Sequence, residues 1–263
     1  MSKIATAERV SREPSDNFVF QRSLLAYHFA AQRIEGRVLE IGTGSGYGIE
    51  IIAPHTTEFV TMDKFLTSIE SELPQNVNMV AATAPKLPFA NSSFDYVISF
   101  QVIEHIKDDV EFVSEIHRVL RDGGKAIIST PNRPMSITRN PWHIREYTKE
   151  EFTSLLETRF SDITRFGVVG NETIMEYYQK NRESVRRITR FDILDLQHRL
   201  PGWMLRIPYD ILNRLNRRRL LDENQSLTSS IKMDDYSITE LRDDAFDLIY
   251  IAQKQPLSSG EGQ

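Results

Sequence analysis

Hydrophobic positions along the chain follow two periods that alternate. Short apolar, largely β-branched runs at 37–41, 58–62, 77–81, 94–100, 125–130, 163–169 and 246–252 have the length of buried strands. Helical spacing fills most of the intervals between them. Residues 108–121 put Phe112, Val113, Ile116 and Leu120 on one stripe and run into Asp122-Gly123-Gly124, which predicts a glycine stop. Residues 148–160 open with Thr148 and Glu151 at capping-box spacing and bury Phe152, Leu155, Leu156 and Phe160. A further helical stretch at 18–32, with Leu24, Leu25 and Phe29 on its packing side, precedes the first strand. Residues 46–53 are expected to begin a helix directly after a glycine cluster. The alternation predicts an α/β fold with a doubly wound, mainly parallel sheet covered on both faces. Its ligand crevice is expected at the carboxyl ends of the strands.

Residues 177–220 interrupt that alternation with a helical pattern and no strand-like run. They hold eleven Arg or Lys against four Asp or Glu, net +7, which leaves −12 for the rest of the chain. The expected organisation is an N-terminal helical cover (1–34), a sheet domain in two parts (35–170 and 236–254), a basic helical insertion (171–235) and a flexible tail (255–263). Within the insertion, Pro208 suits the first position of a helix that carries Ile211, Leu212 and Leu215 on one face, preceded by Trp203-Met204-Leu205. If that helix stops before Arg217, the insertion reads as a lid packed on its own chain. If it runs on, Arg218 and Arg219 turn toward the apolar face, where long stems can snorkel to anionic headgroups, and 203–220 becomes a peripheral membrane contact.

Composition narrows the classes. With 263 residues, 40% hydrophobic and 26% charged, the chain is an ordinary globular one. The absence of cysteine excludes disulfides, thiolate metal sites and cysteine nucleophiles. A net charge of −5 argues against a nucleic-acid partner. No apolar run approaches the ~20 residues of a spanning helix, and the first residues lack a signal-peptide pattern. A cytoplasmic protein is expected, peripheral at the inner membrane surface if the insertion docks.

The chemistry begins at Glu40-Ile-Gly-Thr-Gly-Ser-Gly-Tyr-Gly48. Glycines here let the backbone turn tightly and leave no Cβ against a ligand. The dinucleotide fingerprint fails, because its third glycine falls on Tyr47 or Ile49, and the phosphate loop fails for want of Gly-Lys-Ser/Thr. Asp63 ends the next strand, where such folds hydrogen-bond a ribose; taken alone it reads as a helix cap, and the glycine loop upstream turns the reading toward the ribose.

With these features in place, the chain resembles the class I S-adenosylmethionine-dependent methyltransferases, in particular their small-molecule, type 11-like branch. The resemblance rests on ordered motifs between about 35 and 160. These are Val38-Leu-Glu-Ile-Gly-Thr-Gly-Ser-Gly46, Asp63, Leu87-Pro-Phe-Ala-Asn-Ser-Ser-Phe-Asp-Tyr-Val97, Val102-Ile-Glu-His105, Glu115-Ile-His-Arg-Val-Leu-Arg-Asp-Gly-Gly124 and Thr130-Pro-Asn132. It implies a Rossmann-like, seven-stranded sheet with an antiparallel last hairpin from 163–169 and 246–252, and S-adenosylmethionine as cofactor. Gly42, Gly44 and Gly46 would support the methionine part, with Glu40 holding the loop and its ligand and Asp63 taking the ribose hydroxyls. Thr83 stands where the family often has an adenine-binding acid, leaving its hydroxyl and the Ala84 backbone for the adenine edge. Lys64 replaces the usual apolar residue, so its stem or Phe65 would cover the ring. Gln101 lies at the reactive end. Tyr27 or Arg22 would reach the cofactor carboxylate.

For the acceptor, a hydroxyl needs a base, and neutral histidine suits that task. His105 resembles the family's Glu-His pair, with Glu104 orienting it, joining it on a metal, or merely tying down a loop; no metal is assigned. The stretch Asn140-Pro-Trp-His-Ile-Arg-Glu-Tyr147 offers His143 as a second base and Arg145 and Tyr147 as substrate contacts, with Asn132 beside them, while Trp142 is expected to pin the loop to the core. The function expected is methyl transfer to a small-molecule, saccharide or lipid-linked acceptor at a hydroxyl. The alternative is a non-catalytic S-adenosylmethionine-binding or assembly protein on the same fold.

Overall fold

The computed structural model describes residues 13–65, 72–190, 199–223 and 225–256. The strands are β1 (Arg37–Ile41), β2 (Glu58–Asp63), β3 (Val77–Ala81), β4 (Phe94–Phe100), β5 (Leu120–Pro131), β6 (Asp162–Gly170), β7 (Tyr236–Glu240) and β8 (Asp247–Gln253). The helices are α1 (Asn17–Ala31), α2 (Ile49–Ile52), α3 (Asp109–Val119), α4 (Lys149–Glu157), α5 (Glu172–Thr189), α6 (Gly202–Glu223) and α7 (Gln225–Ser230). All eight strands join one sheet in the order β3-β2-β1-β4-β5-β8-β6-β7. The first five run parallel, and β8 lies antiparallel between β5 and β6.

The two-residue period of the strands splits the core into two layers. Val38, Phe59, Ile98 and Ile127 face α1, α2 and α5, whereas Leu39, Val60, Val97 and Ile128 face α3 and α4. The apolar stripe Phe112, Val113 and Ile116 of α3 is fully buried, and α4 is fixed at its start by the Thr148–Glu151 capping box.

Four expectations need correction. The sheet has eight strands rather than seven, because Tyr236–Glu240 adds an edge strand antiparallel to β6; the insertion therefore leads from β6 into β7 and not directly into β8. Helix α2 is a single turn starting at Ile49, since the glycine loop occupies the chain up to Gly48. Helix α3 ends at Val119, and Leu120 through Gly124 already belong to β5, where the register shifts opposite Phe94 and Tyr96. Pro208 sits inside α6, which runs on to Glu223 and carries Arg217, Arg218 and Arg219 within it. As the seventh residue of the helix, Pro208 lacks the N–H that would bond the Met204 carbonyl, and α6 continues past it with that bond missing.

Candidate active site

The strand order reverses between β1 and β4, and a cavity of about 530 Å³ opens there at the carboxyl ends of β1 to β5. Gly42, Gly44 and Gly46 have φ of 94°, 57° and 79°, the left-handed region that favours glycine. A Cβ on Gly42 would collide with Val102, while one at Gly44 would meet nothing nearer than 4.0 Å. Gly42 and Gly44 line the cavity; Gly46 instead closes the turn through its N–H to the Thr43 carbonyl at 2.9 Å.

Glu40 lies beneath this loop and not in the cavity wall. Its carboxylate accepts from the Tyr27 hydroxyl at 2.7 Å and from the Thr61 hydroxyl, and its side chain is almost fully buried. Burial pushes its carboxyl up to about 7, with the Thr61 and Tyr27 bonds pulling the other way and Asp63 adding to the rise. Glu40 therefore reaches the loop only through Thr61, whose hydroxyl lies 2.5 Å from that of Thr43, and has no face to offer a ligand. Tyr27 does line the cavity, but its hydroxyl is committed to Glu40. Its ring lies edge-on to Tyr47 at 5.4 Å and Phe100 at 5.0 Å, and fills the space that a Cβ on Gly48 would need.

Asp63 does line the cavity, and its carboxylate clips the glycine loop to β2 by accepting from Gly44 N and Phe65 N, both at 2.9 Å. Lys64, Thr83, Ala84 and Gln101 share the same cavity, with the Lys64 ammonium 5.3 Å from the Phe65 ring centre. Gln101 adopts φ of 57°, held by its N–H to the Ser129 carbonyl at 3.0 Å, a non-glycine left-handed residue at the end of a central strand. On the adjoining wall, Arg22 pairs with Asp247 at 2.8 Å. Burial raises the Asp247 carboxyl against the pull of Arg22 and of the Gln101 side chain beside it, and its Oδ1 is buried with no partner at ordinary hydrogen-bond distance among the described residues.

The other end of the cavity is built by His105 and Trp142. His105 Nδ1 lies 3.1 Å from the Trp142 carbonyl oxygen, which can only accept; Nδ1 carries the proton and Nε2 the lone pair. The His143 ring stands edge-on to His105 at 4.9 Å, its Nδ1 2.7 Å from a Glu146 carboxylate oxygen and its Nε2 2.9 Å from the Asn140 amide nitrogen. His143 does not reach the cavity wall. Glu104 is almost fully buried behind the pair, and its backbone carbonyl accepts from Ile144 N at 2.8 Å, which binds the two histidine segments together.

Three expected substrate contacts point elsewhere. Tyr147 is buried and donates its hydroxyl to Asp109 at 2.9 Å, and Arg145 pairs with the same carboxylate. Asn132 is buried and donates to the Ala245 carbonyl at 2.7 Å, closing the end of the sheet. None of the three lines the cavity, because each polar head finds a structural partner first. Trp142, expected to be packing, is instead a wall residue tied to the insertion. Its Nε1 donates to Asp210 of α6 at 2.9 Å, and the Arg206 guanidinium lies 4.5 Å over its ring. Asp247 was also missed, although a carboxylate opening the otherwise apolar run Leu-Ile-Tyr-Ile-Ala could have marked it.

Residues 39–128 match the model of a methyltransferase domain family. The chain is 39% identical over 152 residues to a probable S-adenosylmethionine-dependent methyltransferase of Mycolicibacterium smegmatis, a match covering 54% of this chain and 59% of that protein. The chain thus spans under two thirds of the length of that relative. It is 34% identical over 113 residues to a ubiquinone biosynthesis O-methyltransferase of Mesorhizobium japonicum, covering 40% of this chain and 45% of the relative. Among solved structures, the N-methyltransferase NodS from Bradyrhizobium japonicum, in complex with S-adenosyl-L-homocysteine, shares the fold at TM-score 0.50 and 17% identity, covering 65% of this chain and 89% of that one.

Proposed function

We propose that this chain carries a class I S-adenosylmethionine-dependent methyltransferase domain and that it methylates a hydroxyl of a small-molecule, saccharide or lipid-linked acceptor. The observation that carries the reading is one cavity with the glycine loop and Asp63 at one end and His105 at the other. When bound, the cofactor supplies a methyl group on a sulfonium, which an aligned and dehydrated nucleophile can take by in-line displacement.

The residues fit that cofactor. The cavity has the size of a ligand pocket. Each Asp63 oxygen accepts one backbone N–H, and a carboxylate oxygen can accept a second bond, which a ribose hydroxyl would supply. Thr83 and Ala84 would edge the adenine, with the Lys64 stem and Phe65 over its face. Arg22 and the unsatisfied Oδ1 of Asp247 offer opposite charges to the carboxylate and ammonium of the methionine end. Gln101 sits toward the reacting centre.

On the acceptor side, His105 presents its Nε2 lone pair once Nδ1 is held by Trp142, and it takes the hydroxyl proton. His143 supports it from behind. The acceptor atom differs between the named relatives, oxygen in one and nitrogen in the other, so histidine chemistry is what favours a hydroxyl here.

The lipid-linked option rests on α6. Among the described residues, no helix is long and apolar enough to cross a membrane. Yet Trp203, Ile207, Ile211 and Leu215 recur every four residues on the outer face of α6, joined by Met204 and Leu212, and all are exposed, Trp203 at 71% and Ile207 at 73%. Arg214, Arg218 and Arg219 are exposed along the same side, whereas the inner face buries Asn216 and Leu220. An exposed apolar face interleaved with arginines, whose long stems can snorkel, suits a helix that lies on an anionic surface.

Turnover is tested by S-adenosylhomocysteine release over a panel of hydroxylated acceptors. H105Q is expected to lose about 10²-fold in turnover with cofactor affinity unchanged. Cofactor binding with no release for any acceptor would favour the binding-protein alternative.

A further inference from the structure

We propose that Glu104, His105 and His143 form a binding site for one divalent transition-metal ion at the acceptor end of the cavity. One potential ligand atom from each of the three lies within 4.8 Å of the others. Ligands bound to a transition metal at ~2.0–2.2 Å sit a little over 3 Å apart, so small side-chain rotations close the set.

The hydrogen bonds behind the rings carry the argument. A metal-bound histidine almost always donates its other ring N–H to a carboxylate or a backbone carbonyl, which fixes the tautomer and aims the free nitrogen. Both rings meet this condition here, His143 Nδ1 on Glu146 at 2.7 Å and His105 Nδ1 on the Trp142 carbonyl at 3.1 Å. Each ring is thereby set to offer Nε2, and the two rings stand 4.9 Å apart at 80°, an arrangement that two imidazolium cations would oppose. Glu104 brings the negative charge. Its side chain is nearly fully buried, its Oε2 accepts a long 3.3 Å bond from Thr130, and a buried carboxylate is stabilised by a cation.

One contact competes. The Asn140 amide nitrogen lies 2.9 Å from His143 Nε2, on the lone pair that would bind the ion, while the Asn140 oxygen accepts from Trp142 N at 3.0 Å. The amide must swing aside when the ion enters.

Two imidazoles and a carboxylate select zinc, manganese, iron or cobalt over calcium and magnesium. Three protein ligands leave coordination positions open, and because His105 is the ligand lining the cavity, they face the acceptor. What the ion does there rests on the methyl-transfer reading: it would hold the acceptor oxygen and acidify its hydroxyl so that the proton passes to solvent water, with His105 in that case serving as ligand rather than base. Binding itself does not depend on that reading.

The test is calorimetric titration of the chelator-treated full chain with Zn2+ and Mn2+, with Mg2+ as comparison. One ion per chain is expected, weakened by more than about 10-fold in E104Q and H143Q and by about 10-fold in E146Q, strengthened in N140A, and unchanged in H117Q. Circular dichroism shows whether each variant is folded; E146Q and N140A keep the question answerable if E104Q is not. Absence of binding, or binding that survives every cluster substitution, overturns the site. If the ion binds and no methyl transfer occurs, the site stands and the enzymatic reading falls. If the metal-free chain turns over fully and binds no ion, the site falls and His105 remains the base.

Discussion

Burial lifts the Glu40 carboxyl to about 7 in the folded chain, from an ordinary value near 4.5, so between those values the folded state holds a proton that the unfolded state has released. The stability linked to this group is complete below about pH 4.5, falls as the pH rises to about 7, and then levels off, a change on the order of 3 kcal/mol. E40Q removes the titration. Its denaturation midpoint is expected to decline less than that of the wild type between pH 4.5 and 7.5, and parallel declines would contradict the assignment. Asp63 was legible as a cavity-wall residue because a strand end followed by a glycine loop fixes its place, whereas Glu40, legible beside the loop, lies buried beneath it on Tyr27 and Thr61. The places of Tyr147, Arg145 and Asn132 were not legible, since sequence shows that a side chain is polar but not that Asp109 or the Ala245 carbonyl will claim it. Trp142 and Asp247 escaped for the opposite reason, as groups that look structural in sequence and end in the cavity wall.

Elements were read more surely where periodicity was strong. Strands β1 to β6 and helices α3 and α4 fell close to their apolar runs, whereas β7, with Ser237 and Thr239 alternating on an edge, carries too little hydrophobicity to announce itself. Helix α6 was expected to begin at Pro208 but extends six residues ahead of it, which brings Trp203, Met204 and Ile207 onto the outer stripe. Arg217, by contrast, turns inward to Asp16 at 2.5 Å, so it belongs to the fold and not to a docking face. The docking reading predicts salt-sensitive co-sedimentation with anionic but not neutral vesicles, lost when Arg214, Arg218 and Arg219 are replaced by Ala or when Trp203 and Ile207 are replaced by Ser. Equal recovery in the supernatant with both lipids leaves α6 as a brace for the cavity-wall residue Trp142 through Asp210.

At the scale of the whole molecule, the sheet order places the cavity where parallel strands diverge to either side of β1 and β4. Helix α1 seals one side by inserting Tyr27 beneath the glycine loop, and α6 closes the other by gripping Trp142. The doubly wound fold was legible because strand and helix periods alternate; how the basic insertion folds was not, because charge says nothing about which helix face meets the core. The most direct test of the central claim, that this cavity binds S-adenosylmethionine through Asp63, is calorimetric titration of the cofactor into wild type and D63A. One site per chain is expected, weakened by about 1.5–3 kcal/mol in a folded D63A variant; an unchanged dissociation constant in that folded variant would contradict it.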